Sequence, residues 1–438
     1  CLVKGKFNCS VVSRVYILRL TLLFFVGLYN STAANAQSID ESISRLINLG
    51  QIEAAQEVLE ASNPTEIDRL FFVGRILKAS QKYTKAVLVF EEILRRQPRH
   101  INAKRELAHT LLLSRQFGDA ETHFRELLRV DNNEVMRSGY RRFLNAIEKN
   151  KTTGFSLQFS LLPSSNINKG TSNTVFDSEL GEFIIDPSMQ VEPGIGVQVG
   201  ISGFFRHIDE SSNRVQLSWG VSGIKYRDET YDSLSGQLSI SYAESSSNTH
   251  WSLEAFTKQT WQSSGGGMRA VGAKYAFAQS LSKTDSLAVS LMHEYRIYQT
   301  RDYQNGTFTS ATMSVTHQFS SKLSLLAGFQ SEVRNPEAPH LQYIGAKAFG
   351  EISKAWENGV HSTLGVQFGS REFVGVYPLT ASPRSDLYSG ISISAYSDRI
   401  NYMGFAPKVS CKYILNSSNV EFFDYQSTDC QIGFSQTF

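Results

Sequence analysis

The stretch Cys430-Gln431-Ile432-Gly433-Phe434-Ser435-Gln436-Thr437-Phe438 decides the reading of the chain. Alternate positions place Cys430, Ile432, Phe434 and Phe438 on one face, and Asp429, Gln431, Gly433, Ser435 and Thr437 on the other. A period of two is a strand's period. A strand that is apolar outward, polar inward and ends on an aromatic residue is how a bacterial outer-membrane barrel finishes. Lipid solvates one face and a wet lumen the other. Hydrocarbon tolerates no unpaired strand edge, so such a sheet must close on itself.

Working back from this strand, the last 286 residues, from Thr153 to Phe438, divide into about fourteen amphipathic segments. They are expected near 154–163, 194–206, 213–226, 233–244, 249–262, 267–280 and 285–299. The rest fall near 306–319, 322–334, 340–354, 359–372, 386–397, 402–415 and 426–438. Alternation is clean in Val215, Leu217, Trp219 and Val221 against Gln216, Ser218, Gly220 and Ser222. The connections alternate too: longer ones, such as 164–193 and 373–385, follow odd-numbered strands, and tight polar turns such as Ser245–Asn248 follow even-numbered ones. This is the loop rule of outer-membrane barrels, and an even strand count brings both ends of the barrel to one side. A soluble two-sheet sandwich or a secreted adhesin would not show this regularity. Mean hydropathy is −0.22, which excludes nothing here, because alternation keeps barrel sequences near neutral.

Charge divides the chain into three parts. Residues 1–36 carry +4, residues 37–152 carry +3 and residues 153–438 carry −5, giving the net +2. Nothing in this balance points to nucleic acid. The first part places basic residues before the apolar run Leu20–Leu28 and ends in Ala34-Asn35-Ala36, the order of a secretory signal cut after Ala36. The other reading is an uncleaved anchor, for which the apolar run is short. Cys1 precedes the apolar segment, so its position does not fit lipid attachment, and the mature chain is expected to begin at Gln37.

Residues 37–152 have helical periodicity and an internal repeat. Gly74, Ala86 and Phe90 recur 34 residues later as Ala108, Ala120 and Phe124, the interval of the tetratricopeptide repeat. Small residues at these sites let antiparallel helices approach, and the phenylalanines fill the space between repeats. The expectation is a periplasmic tetratricopeptide-like domain, read either as a concave protein-binding surface or as a scaffold or plug that steadies the barrel. A last helix near 135–149, carrying Arg137, Arg141 and Arg142, would cap the stack.

No catalytic pattern emerges. There is no H-E-x-x-H, G-x-S-x-G or P-loop; Ser290 and His293 have opposite strand parity; and Gly265-Gly266-Gly267 reads as a turn. No cofactor or metal is expected. Cys411 and Cys430 lie nearly opposite on adjacent strands, so they form either a cross-strand disulfide or two lipid-facing thiols.

One motif makes the match more specific. Leu162-Pro163-Ser164-Ser165-Asn166-Ile167-Asn168-Lys169-Gly170 resembles the barrel start of the surface lipoprotein assembly modulators, the Slam family. The far end is similar as well: Ser418-Asn419-Val420, Phe423-Asp424-Tyr425 and Phe434–Phe438. The resemblance implies a signal peptide, periplasmic tetratricopeptide repeats and a fourteen-stranded barrel. It also implies transport of surface lipoproteins, or related secreted proteins, without catalysis. The partners implied are that cargo, outer-membrane lipid, the barrel assembly machinery and periplasmic chaperones. Pro163, Ser165, Asn166, Ile167 and Asn168 form the candidate barrel-entry motif, with plain turn chemistry as the alternative for Asn166 and Asn168. Ile432, Phe434 and Phe438 form the candidate closure signal. Segment 170–193 would be a plug or an outer loop. Two other functions fit the architecture: export of a polysaccharide, or a receptor acting through loops such as 373–385, with Tyr377 and Pro378.

Overall fold

A computed structural model describes residues 34–211, 213–378, 380–397, 399–400 and 406–437. The basic and apolar part of the expected signal sequence, up to residue 33, lies outside the described residues, as does Phe438. The chain divides into two compact units between Ile147 and Glu148.

The first unit is helical: α1 (Ala34–Asn48), α2 (Ile52–Ala61), α3 (Glu66–Ala79), α4 (Tyr83–Arg96), α5 (Ile101–Leu113), α6 (Phe117–Val130) and α7 (Glu134–Asn150). Successive helices pack as hairpins, and the odd-numbered helices α1, α3 and α5 also touch one another. The three hairpin turns are copies of one device. Gly50, Gln81 and Arg115 each take a left-handed backbone, with φ of 74°, 59° and 62°. In each turn that residue's N–H and the next donate back to the helix: Gly50 to Ile47 and Gln51 to Leu46, Gln81 to Lys78 and Lys82 to Leu77, Arg115 to Leu112 and Gln116 to Leu111. This is the Schellman end of a helix.

The repeated small and aromatic positions form the core of this unit. Ala86, Phe90, Ala108, Ala120 and Phe124 are buried together. Gly74 is small for a measurable reason: a Cβ there would stand 2.6 Å from Cε1 of Phe90. Phe124 stacks on Phe143 of α7 with ring centroids 5.0 Å apart. Arg137 of α7 is fully buried, and its guanidinium donates to the Leu128 carbonyl at 2.7 Å, satisfying an α6 end that lacks helical partners.

The second unit is a closed barrel of fourteen antiparallel strands. They are β1 (Thr153–Ser164), β4 (Gly194–Ile208), β5 (Arg214–Lys225), β6 (Ser233–Ser245), β7 (Thr249–Gln262), β8 (Gly267–Ser280) and β9 (Asp285–Tyr298). They continue with β10 (Gly306–Ser320), β11 (Leu323–Pro336), β12 (Tyr343–Ala355), β13 (Val360–Val376), β14 (Pro383–Ser397), β15 (Ala406–Ser418) and β16 (Tyr425–Thr437). Each pairs with its sequence neighbours, and β16 returns to β1. Two further strands, β2 (Val175–Ser178) and β3 (Gly181–Ile184), pair only with each other.

Alternation sorts the two faces as the sequence pattern requires. On β14, Leu387, Ile391 and Ile393 point outward and are about half exposed; β13 does the same with Leu364, Val366 and Phe368. Ser392 and Gln367, of opposite parity, line a hollow on the inner wall. An apolar outer band flanking a polar interior is stable only in lipid.

The strand bounds expected at 249–262 and 267–280 are the observed ones. β12 begins at Tyr343 instead of 340, because Pro339–Leu341 make a one-turn 3-10 helix. β13 runs past 372 to Val376 through a register shift between Glu372 and Val376. β15 is described from Ala406, since residues 401–405 lie outside the description.

Replacing Gly74 with valine pushes a branched side chain into the Phe90 ring, and overpacking of this kind costs about 1–3 kcal/mol. The helical unfolding transition, followed by circular dichroism, is expected to fall by several degrees while the barrel still shifts its gel mobility on boiling. An unchanged helical transition would contradict this packing.

Candidate functional site

Two places gather chemistry. The first is the face made by the odd-numbered helices. Arg75 on α3 donates to Asp40 of α1 at 2.5 Å and to the Ser44 hydroxyl at 2.9 Å. Lys78, one turn on, donates to Glu106 of α5 and lies 3.4 Å from Nδ1 of His109. Burial raises the Glu106 carboxyl, but the charges of Lys78 and Arg75 outweigh it and hold the group below its usual range. Burial, with Lys78 adding to it, pushes His109 down to about 3, so its imidazole is neutral at ordinary pH. Polar contacts thus knit three repeats together along this face, with Glu106 and His109 buried. A second network, Arg105 to Asp131 at 2.7 and 3.0 Å with Tyr140 donating to the same carboxylate at 2.5 Å, ties α5 to α7.

The second place is the barrel end that carries the long loops. The motif after β1 is spent on bracing it. Ser165 donates its N–H to the Thr428 carbonyl of β16 at 3.0 Å, and its Oγ accepts the Thr428 N–H at 2.8 Å. Asn166 is fully buried. Its Nδ2 donates to the carbonyls of Gly170 and Gln426, at 2.8 and 3.1 Å, and its Oδ1 accepts the Gly170 N–H at 2.9 Å. Asn168 donates to the Gln190 carbonyl at 2.6 Å and accepts the Gly170 N–H. Ile167 packs against the Gly194 backbone. Gly170 lies so close to the returning chain that a Cβ would stand 2.3 Å from the Gln190 carbonyl oxygen.

Lys169 completes the brace. Its ammonium reaches both oxygens of Asp429, at 2.6 and 2.7 Å, and the Ser427 hydroxyl; Ser164 donates to the same carboxylate at 2.6 Å. Pro163 pairs with Ile195 of β4, yet on its other side the β1–β16 ladder skips from Leu161↔Ile432 to Ser164↔Asp429. A proline has no N–H to give there. Phe159 and Phe434 face each other along this closure, with ring centroids 6.4 Å apart. Ile432 lies on the outer face.

Segment 171–193 folds back over the loops of that end. Phe176 and Ile185 form a small core with Val420, joined by Tyr377, Phe422 and Phe423. Beside it, Cys411 of β15 and Cys430 of β16 are exact cross-strand partners and are joined by a disulfide. It fastens β16 to β15, next to the interrupted closure.

Within the lumen near the same end runs a belt the sequence reading did not single out. Arg296 lies 4.0 Å over the Phe308 ring, Arg371 4.9 Å over Tyr388, and Arg384 3.3 Å over Phe423. Each holds a carboxylate: Glu294 at 2.6 Å, Glu332 at 2.8 Å and Asp386 at 2.5 Å. The available signal was inward parity, which all three arginines share with their carboxylates.

Together these features define a membrane β-barrel of outer-membrane type, preceded by a helical unit. Residues 154–438 match the surface lipoprotein assembly modifier family, and the chain belongs to that family. No curated protein matches the chain. Among solved structures, the barrel is similar to the toluene transporter TodX of Pseudomonas putida, at 9% identity and a TM-score of 0.36, over 65% of this chain and 89% of that one. It is similar to the Ralstonia pickettii toluene transporter TbuX at 8% and 0.34, over 66% and 90%. It is also similar to Acinetobacter baumannii OccAB3 at 7% and 0.35, over 65% and 99%.

Asn166→Ala removes three buried hydrogen bonds and leaves the Gln426 and Gly170 carbonyls without their donor, each worth about 1–3 kcal/mol when buried. Limited proteolysis of the folded barrel is expected to cut within 171–193 well before it cuts the parent chain. Equal resistance would show that the brace does not hold this segment.

Proposed function

We propose that the protein is an outer-membrane translocator that helps deliver surface lipoproteins, or related secreted proteins, to the cell surface. The observation that carries this reading is the family match across the whole of a closed, polar-lined barrel. In this reading the helical unit is a tetratricopeptide-like domain in the periplasm. There its α1–α3–α5 face engages cargo or a chaperone, and the barrel provides the passage. The strand count supports the orientation. β1 begins and β16 ends at the short-turn end, and short turns lie on the periplasmic side of such barrels. The barrel assembly machinery is the partner that any such barrel needs to insert. The entry motif then acts as a brace at the outer mouth: it holds segment 171–193 over the passage and ties β1 to β16. The transport needs no catalytic group.

One observation favours a second reading. The guanidinium groups inside the lumen suit an acidic polymer, so export of an anionic polysaccharide is the competing function.

Surface biotinylation of cells with and without the gene, with surface polysaccharide assayed in parallel, separates the two. Translocation is expected to appear as selective loss of one or a few lipoproteins from the surface while they persist inside. Loss of polymer with an unchanged protein surface would replace this reading with export. No change in either would contradict both.

A further inference from the structure

The barrel's net charge conceals a segregation. Residues 153–438 hold 20 basic and 25 acidic side chains. Strand register assigns each strand residue to one face. At the mouth, Arg296, Arg334, Arg371 and Arg384 face inward with Glu294, Glu332 and Asp386. On β4, β5, β7 and β8, Arg206, Arg214, Lys258 and Lys274 face inward with Glu254. On β12, β15 and β16, Lys347, Lys408 and Lys412 face inward with Glu351 and Asp429. The lumen wall of the described strands therefore carries eleven basic and six acidic groups, a net +5. The other acids of this part of the chain among the described residues lie on loops, rims or the outer face. A polar channel with low-dielectric walls focuses such a field along its axis.

The lysines of β12 and β15 share one wall. A hollow of about 210 Å³ opens there, flanked by Lys347 and Lys412 and lined by Gln330, Gln367 and Ser392, with Glu351 also on its wall. Glycine makes the space: a Cβ on Gly365 would stand 2.6 Å from the Ser392 hydroxyl, and one on Gly390 3.0 Å from the Tyr413 carbonyl oxygen. Most lumen carboxylates at the mouth are already claimed by arginine, and Asp429 by Lys169. Among the described residues, Lys347, Lys408 and Lys412 have no carboxylate within ion-pair distance.

We propose that this wall binds carboxylates, and that its occupant is an acidic, extended stretch of the translocated polypeptide. The inference rests on the translocation reading and names the chemistry of what passes. Two observations favour a peptide over a sugar polymer. Amide and hydroxyl side chains lie beside the ammonium groups, matching the donors and acceptors of a peptide backbone. The aromatic faces at the mouth, on which sugar rings would stack, are covered by guanidinium groups.

The test uses the full chain in detergent micelles and fluorescent oligoglutamate, read by anisotropy at low and high salt. Binding is expected, weakened by salt. It is expected to fall roughly tenfold in Lys347→Gln/Lys412→Gln and to return in Lys347→Arg/Lys412→Arg, as for close charge pairs. The mobility shift on boiling verifies that each variant is a folded barrel. Equal binding by the glutamine variant overturns the inference, because the contact then lies elsewhere, for example on the basic helical unit. Binding of oligogalacturonate without oligoglutamate overturns it in favour of a sugar polymer. The two readings fail separately. Lipoprotein loss from the surface without oligoglutamate binding overturns this inference alone. Oligoglutamate binding with unchanged lipoprotein display overturns the translocation reading and leaves an anion-binding barrel.

Discussion

Hydrocarbon cannot satisfy a free backbone N–H or C=O, and this constraint governs the second unit. Twelve of the fourteen junctions join strands linked by a short connection, and a thirteenth, β1 with β4, is bridged by residues 165–193. The fourteenth, β1 with β16, joins residues some 270 positions apart and has no turn to set its register. Structure is accordingly concentrated beside it. The Lys169–Asp429 ion pair, the Ser165–Thr428 pair of hydrogen bonds and the buried Asn166 amide all cross from the start of the barrel to its end. The Cys411–Cys430 disulfide holds β16 from the other side. An exposed ion pair contributes little, but one anchored by two hydroxyl donors in a partly enclosed mouth contributes more.

The barrel strands were legible in the sequence because their physics is local. Each face of a strand meets one solvent, so composition alternates residue by residue, and bounds such as 249–262 follow directly. The helical unit was legible for a related reason: Gly74 and Phe90 are fixed by one close contact, and their repeat equivalents Ala108 and Phe124 are both buried in the core. Its turns were less so, since only Gly50 advertises a left-handed residue while Gln81 and Arg115 adopt the same backbone. The remainder depends on contacts between distant residues. β2 and β3 are four residues each, and Phe176 of β2 with Ile185, just past β3, finds Val420 and Phe422 far along the chain. Lys169 meets an aspartate 260 residues away, which no local pattern encodes. The arginine belt escaped because a single inward arginine per strand is unremarkable until the register aligns several at one depth.

The same register explains why bulk charge misleads for this architecture. An acidic total of −5 gave no hint about the passage, because the acids and bases occupy different surfaces. A barrel's chemistry is carried by every second residue. Its charge has to be counted face by face, and the sign can then reverse.

Every statement about the lumen, the belt and the brace depends on which residues face inward. Single cysteines at Ile391, Ser392, Ile393 and Ser394 of β14, in the folded barrel with the native disulfide intact, test this directly. The probe is a charged, membrane-impermeant maleimide, read against the parent chain in lipid. Labelling at 392 and 394 with protection at 391 and 393 is the result this structure requires. Uniform labelling, or the reverse alternation, would contradict it.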